Sequence, residues 1–303
     1  INMAEPEIGA PPMTATPQPV QSTRPSLVPA PPTIERPTRC PAGGSGPSPS
    51  PGSSVHSTLQ ARSVGPFVFV DHIGPAIFAP GRGIDVRPHP HIGLATVTFL
   101  WSGTIQHRDT LGFVQDIAAG DVNWMTAGRG IAHSERTPRS VREGEHPLHG
   151  MQTWVALPCA DEETAPGFHH HAAAALPRIE RNSALLRVLA GRGYGEESPV
   201  RVFADTLYVA IDLDADAQVI LEPSHPQRAV YVLEGAAQLD GADIPQQHLV
   251  VLDAGVSHAL RAKTPLKAML LGGEPLDGPR HLWWNFVSSS KERIERAKAD
   301  WRE

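Results

Sequence analysis

Two short runs in this chain could do chemistry together: His89-Pro90-His91 and His133-Ser134-Glu135. Side chains on a β-strand point to one face at every second residue, so each run places two donor groups on one face. Two such strands brought face to face inside a barrel would aim three imidazoles and one carboxylate at a single point. Nitrogen and oxygen donors in that proportion suit a transition-metal ion, and a five- or six-coordinate ion would keep positions open for exogenous ligands. Both runs lie beside tight, Gly-rich turns, and Pro90 fits an edge strand or a strand start because it cannot donate to a ladder.

The elements needed to position these residues are short strands. Val64–Val70, Ile77–Phe78, Leu94–Trp101, Thr104–Arg108, Phe113–Ala118, Val122–Met125, Ile131–Glu135 and His149–Leu157 are rich in β-formers, with Gly, Pro or Asp-containing turns between many of them. That spacing predicts an antiparallel sandwich or barrel. A faint internal repeat pairs the run Val97–Gly103 with Val230–Gly235, and Val114–Gly120 with His248–Gly255. Repeated strand–turn units imply two copies of one barrel in tandem. The second copy keeps only His225 and His258 near the matching places, followed by Pro226-Gln227 and Ala259-Leu260, and is expected to be metal-free. The C-terminus reads as a helix, with Ser289 and Glu292 as a capping box and Ile294, Ala297 and Trp301 as its apolar stripe.

The division expected is a Pro-rich tail over 1–52, a metal-binding barrel over 53–175 and a metal-free barrel with a short helix over 176–303. The tail holds 14 of the 31 prolines, so it cannot bury enough apolar surface to offset ordering and is expected to be disordered. A docking role for Pro29-Ala30-Pro31-Pro32 ranks below that reading. At 303 residues the chain can hold two modest domains, and its net charge of −6 offers no basic stripe for nucleic acid. No apolar run approaches a membrane span. Cys40 and Cys159 form no disulfide framework, and with no basic start and apolar core at the N-terminus a cytoplasmic protein is expected. The sequence opens on Ile1, and Met3 is a candidate start.

Other motifs are weaker. His169-His170-His171 reads as a solvated turn before a second metal site, and His107 with Asp109 reads equally as a pair behind the ligands or as a turn. Trp124 and Met125 could line a pocket, with core packing the default. Gly81-Arg82-Gly83 is too short for a dinucleotide fingerprint, and no nucleophile triad or phosphate loop stands out.

Several stretches together resemble the pirin family: the run His89–Thr98, His107–Gly112, Val122–Glu135, Leu148–Trp154 and Gly278–Phe286. The resemblance covers about Val55 onward. It implies an all-β bicupin, two antiparallel jelly-roll barrels in tandem, with iron held in the first by His89, His91, His133 and Glu135. Those are the four residues reached from strand period. The chain departs from many pirins at Ile92-Gly93-Leu94-Ala95, where Arg-Gly-Phe-Glu is common, and the form here is closer to bacterial members. The resemblance implies a dioxygenase of the quercetinase type, with a flavonol-like substrate, O₂ and Glu135 as proton acceptor. Iron(II) is expected first, and Mn, Ni, Co, Cu or Zn would also suit the donors. The alternative it implies is a non-enzymatic, redox-sensing regulator that binds protein partners. A monomer without direct nucleic-acid or membrane contact is expected.

Overall fold

The structure is a computed structural model that describes residues 63–302. The Pro-rich segment, with Cys40 and Met3, lies outside the described residues, as does the part of the first expected barrel before residue 63. Strands dominate: β1 (Phe67–Phe78), β2 (Asp85–His91), β3 (Leu94–Ser102), β4 (Thr104–Asp109), β5 (Val114–Ala118), β6 (Val122–Thr126), β7 (Ile131–Arg136), β8 (His146–Ala156) and β9 (Gly167–His171) build a first module. They form a five-stranded sheet, β1-β8-β3-β6-β9, and a four-stranded sheet, β2-β7-β4-β5. Every pairing between these strands is antiparallel. A second module repeats the plan after residue 178, with a seven-stranded sheet and a four-stranded one ordered Gln218–Leu221, His258–Ala262, Ala237–Leu239, Ala242–Ile244.

The large sheets pack on each other, which explains why Leu94 to Leu100 is buried at every position rather than at alternate ones. Ala95, Val97 and Phe99 face the second module, where they join Tyr208, Tyr231 and Met269 in one apolar cluster. Leu94 and Leu100 face inward, in two separate clusters of the first module. Thr96 and Thr98 lie between them on the same inward face by strand period.

Several details depart from the sequence reading. The two ligand strands are neighbours in one sheet, with His89 paired to His133, rather than facing each other across a barrel. Val64–Val70 and Ile77–Phe78 belong largely to one long strand, β1, because its pairing with β8 resumes after an irregularity between Ile73 and Ala76. The histidine run 169–171 is no solvated turn: it lies in β9, paired with β6, and His170 Nδ1 is 2.8 Å from Asn123 Oδ1. The C-terminal helix spans Lys291–Asp300, and its cap is Ser290, whose Oγ accepts from Arg293 N, rather than Ser289. Ser289 is drawn instead to Glu162, to which its backbone N–H donates at 2.8 Å. Ile294 and Ala297 bury against Ile92 and Phe286, but Trp301 stays 45% exposed. Trp124 is buried between the modules and Met125 beside Leu94 and Trp154.

Candidate metal centre

Strand register assembles the site. β2 is an edge strand, which tolerates Pro90, and β7 lies between β2 and β4. His89 pairs with His133, His133 with Asp109, and Glu135 with His107. The donor atoms of His89, His91 and His133 lie within 4.8 Å of one another. Glu135 falls in a second, overlapping group with His107 and His133, also within 4.8 Å. Its Oε1 accepts from Gln152 Nε2 at 2.9 Å, a bond that draws it toward the opposite sheet.

Each imidazole of the triad is anchored through Nδ1. His89 lies 2.8 Å from the Arg87 carbonyl and His91 3.1 Å from the Asn285 carbonyl. A carbonyl only accepts, so both Nδ1 atoms carry the proton and both Nε2 atoms keep a lone pair. His107 Nε2 lies 2.9 Å from Asp109 Oδ2, and His107 Nδ1 lies 3.3 Å from His133 Nδ1. With the Asp109 carboxylate accepting from His107, His107 Nδ1 must accept from His133 Nδ1–H, which frees His133 Nε2 as well. His91 and His133 are only 0% and 2% exposed, yet their Nε2 atoms have no hydrogen-bond partner. Buried polar atoms are nearly always satisfied, so convergent orphaned lone pairs fit a cation.

Burial also sets the charge states. Desolvation, reinforced by His89, pushes the His91 imidazole down to about 3, and desolvation with its histidine neighbours holds His133 well below its ordinary value. Both are neutral ligands near pH 7. Burial raises Glu135, and its bond from Gln152 and the nearby His107 oppose that rise.

The C-terminal hairpin, His281–Trp283 and Phe286–Ser288, completes the wall. Val287 N donates to the Ile92 carbonyl at 3.2 Å, which brings the Asn285 carbonyl onto His91. Gly93 makes this approach feasible: at φ +66° it occupies the left-handed region, and a Cβ there would sit 2.0 Å from the Val287 carbonyl oxygen. Trp154 stands edge-on to His91 with centroids 5.3 Å apart, and Phe168 stacks on His107 at 4.2 Å. His89 is the half-buried member of the triad, so the group of donors meets the surface on its side.

Of the residues expected from sequence, His89, His91 and His133 converge, while Glu135 stands beside them with His107. His107 and Asp109 form the pair behind His133. Gln152, Trp154 and Asn285 were not singled out as site residues. Strand period from Trp154 points to Gln152, but no local signal points to Asn285.

The Pirin family model matches residues 50–155, and the Pirin C-terminal cupin domain matches 208–303. A pirin-like protein of Caulobacter vibrioides is 47% identical over 244 residues, 80% of this chain and 84% of that protein. A Pseudomonas aeruginosa protein provisionally named as a quercetin 2,3-dioxygenase is 40% identical, over 83% of this chain and 78% of its own length. The crystal structure of a quercetin 2,3-dioxygenase from Acinetobacter baumannii superposes with a TM-score of 0.74 at 36% identity, covering 80% of each chain. With antiparallel modules in tandem, a histidine centre in the first and family matches in both, this chain belongs to the pirin family.

Proposed function

We propose that this chain is a mononuclear metal-dependent dioxygenase of the quercetinase type, with the metal held by His89, His91, His133 and Glu135. The observation that supports it is the convergence of buried Nε2 lone pairs on His91 and His133 beside the accessible His89, with a carboxylate next to them. Iron(II) bound there would supply Lewis acidity toward an acidic hydroxyl and redox chemistry toward O₂.

The protein's own groups supply the rest. Asp109 and His107 hold His133 in one tautomer and orientation. The Asn285 carbonyl does the same for His91. Glu135 accepts the proton of the substrate's 3-hydroxyl: burial makes its carboxylate more basic than usual, and Gln152 holds one of its oxygens. Trp154 and Phe168 pack against His91 and His107 and keep water from the ligands' inner side. Both atoms of O₂ enter the flavonol as its central ring opens, and carbon monoxide leaves. Anaerobic loading with Fe(II), then quercetin and O₂, tests the reading. Loss of the flavonol absorbance is expected, and none from a fully loaded site would refute the activity.

A second reading, metal-gated binding of a protein partner, has one observation in its favour. Leu282, Trp283 and Trp284 are exposed on the same hairpin whose Asn285 carbonyl holds His91. A change at the metal could thereby reach a surface patch. Pulldowns that return the same partners with His133→Ala as with wild type would count against it.

A further inference from the structure

Strand period along β1 sorts its side chains. Phe69 packs on Trp154 with centroids 4.3 Å apart, and Ile73 packs on the inner cluster of Leu100, Ile105, Ile117 and Leu148. His72, of opposite parity, meets Tyr231 of the second module, Nδ1 to Oη at 3.3 Å. Asp71 lies between Phe69 and Ile73 in parity and so faces the interior of the first module. Its register partner is Gln152, the residue that donates to Glu135 from the opposite sheet. Paired residues of an antiparallel ladder share a face, which sets Asp71 beside Gln152 and across from Glu135. Among the described residues the Asp71 carboxylate is in no hydrogen bond or ion pair.

We propose that Asp71 is a second carboxylate of the metal pocket, placed to balance the charge of a bound divalent cation. The inference rests on the metal reading above. A dication with three neutral imidazoles and the Glu135 carboxylate keeps one positive charge among its own ligands; the Asp109 carboxylate answers it only from behind His107 and His133, so the pocket side lacks a counter-ion unless Asp71 supplies it. Asp71 is the remaining acid on the inner face next to Gln152. In the metal-free protein the Asp71 carboxylate is half-buried without a partner, and burial raises it above the ordinary aspartate range. An unpartnered, half-buried acid that costs stability in the empty protein is the pattern of a functional group rather than a structural one. The orphaned Nε2 atoms of His91 and His133 independently mark a cation at this place.

Two measurements decide it. In the metal-free protein, thermal unfolding of Asp71→Asn should give a midpoint about 2–4 °C above wild type. In the loaded protein, chelator competition with Ni(II) should show affinity about tenfold weaker for Asp71→Asn. A lower metal-free midpoint for Asp71→Asn, or nickel affinity unchanged while wild type binds normally, overturns the role of Asp71 alone. Wild-type protein that takes up neither Ni(II) nor Fe(II) overturns the metal reading and this role together.

Discussion

The two modules share a small-sheet plan and treat its centre in opposite ways. In the second, His258 pairs with Leu221 as His133 pairs with His89 in the first, and Leu260 pairs with Leu239 as Glu135 pairs with His107. Three polar positions of the first module are therefore leucines in the second, each 0% exposed and packed in one apolar core. His258 remains, held by Asp240 at 2.6 Å. The cation of the second module is built in: Arg228, itself fully buried, donates to the carbonyls of Glu222, Asp253 and Val256 at 2.7, 2.6 and 2.8 Å. Among the described residues no group of metal-ligating side chains forms there. One scaffold thus surrounds its single remaining imidazole with leucines, leaving His258 Nε2 and Arg228 Nε as isolated unpartnered nitrogens, and next door brings orphaned lone pairs together where an ion can fill them.

The sharpest test of that contrast is His91→Ala. Elemental analysis should find about one equivalent of metal in wild type and essentially none in the variant, because three-nitrogen ligation is lost. Equal metal in both would place the ion elsewhere.

Next in size is Arg228→Leu. Three strong carbonyl bonds would be left unmade in a dry interior, so unfolding in denaturant should show a loss of about 3–5 kcal/mol. Metal content should not change, since the effect is confined to the second module. A variant as stable as wild type would show that Arg228 is not what closes that interior.

His107→Leu makes the first module resemble the second at one position, that of Leu239. His133 then loses its acceptor, and chelator competition should report affinity weaker by about 10–100-fold, with the protein still folded. Unchanged affinity would mean that the ligands alone set the site.

The smallest effect concerns the seam between the modules. Burial, with the neighbouring His149, pushes His72 from 6.5 down to about 4, while Glu234 opposes the shift. The unfolded chain binds the proton at higher pH than the folded one, so this contribution is present above pH 6.5 and is lost as pH falls toward 4. The thermal midpoint should drop across that window, and His72→Gln should make the slope shallower while leaving the share of His91 and His133. A slope unchanged by the substitution would assign all of it to other groups.

Much of the first module was legible in advance. β3 to β8 follow from β-forming runs with Gly- or Asp-containing turns, and Leu94 to Leu100 reads as a continuous run because both its faces are covered. The errors came where long-range pairing overrode local signals. His169 to His171 looked like a polar turn, yet a free edge beside β6 recruits it as a strand. The cap shifted from Ser289 to Ser290 because Glu162, far away in the chain, claims Ser289. Trp301 had the right spacing for the helix stripe, but the surface that the helix meets ends at Ala297.

By itself, the sequence determined which residues could bind a metal: spacing of two on a strand puts His89 with His91, and His133 with Glu135, on common faces whatever the rest of the chain does. It also carried the turns and the family motifs. Only the tertiary structure decided that β2 and β7 lie side by side, so that three imidazoles converge while Glu135 leans toward Gln152 and His107. It alone brought the Asn285 carbonyl to His91 across 194 positions and turned Asp71 inward. The physical reason is that alternation is a local property of the backbone. Register and docking depend on contacts between segments far apart in the chain, and no local pattern records them.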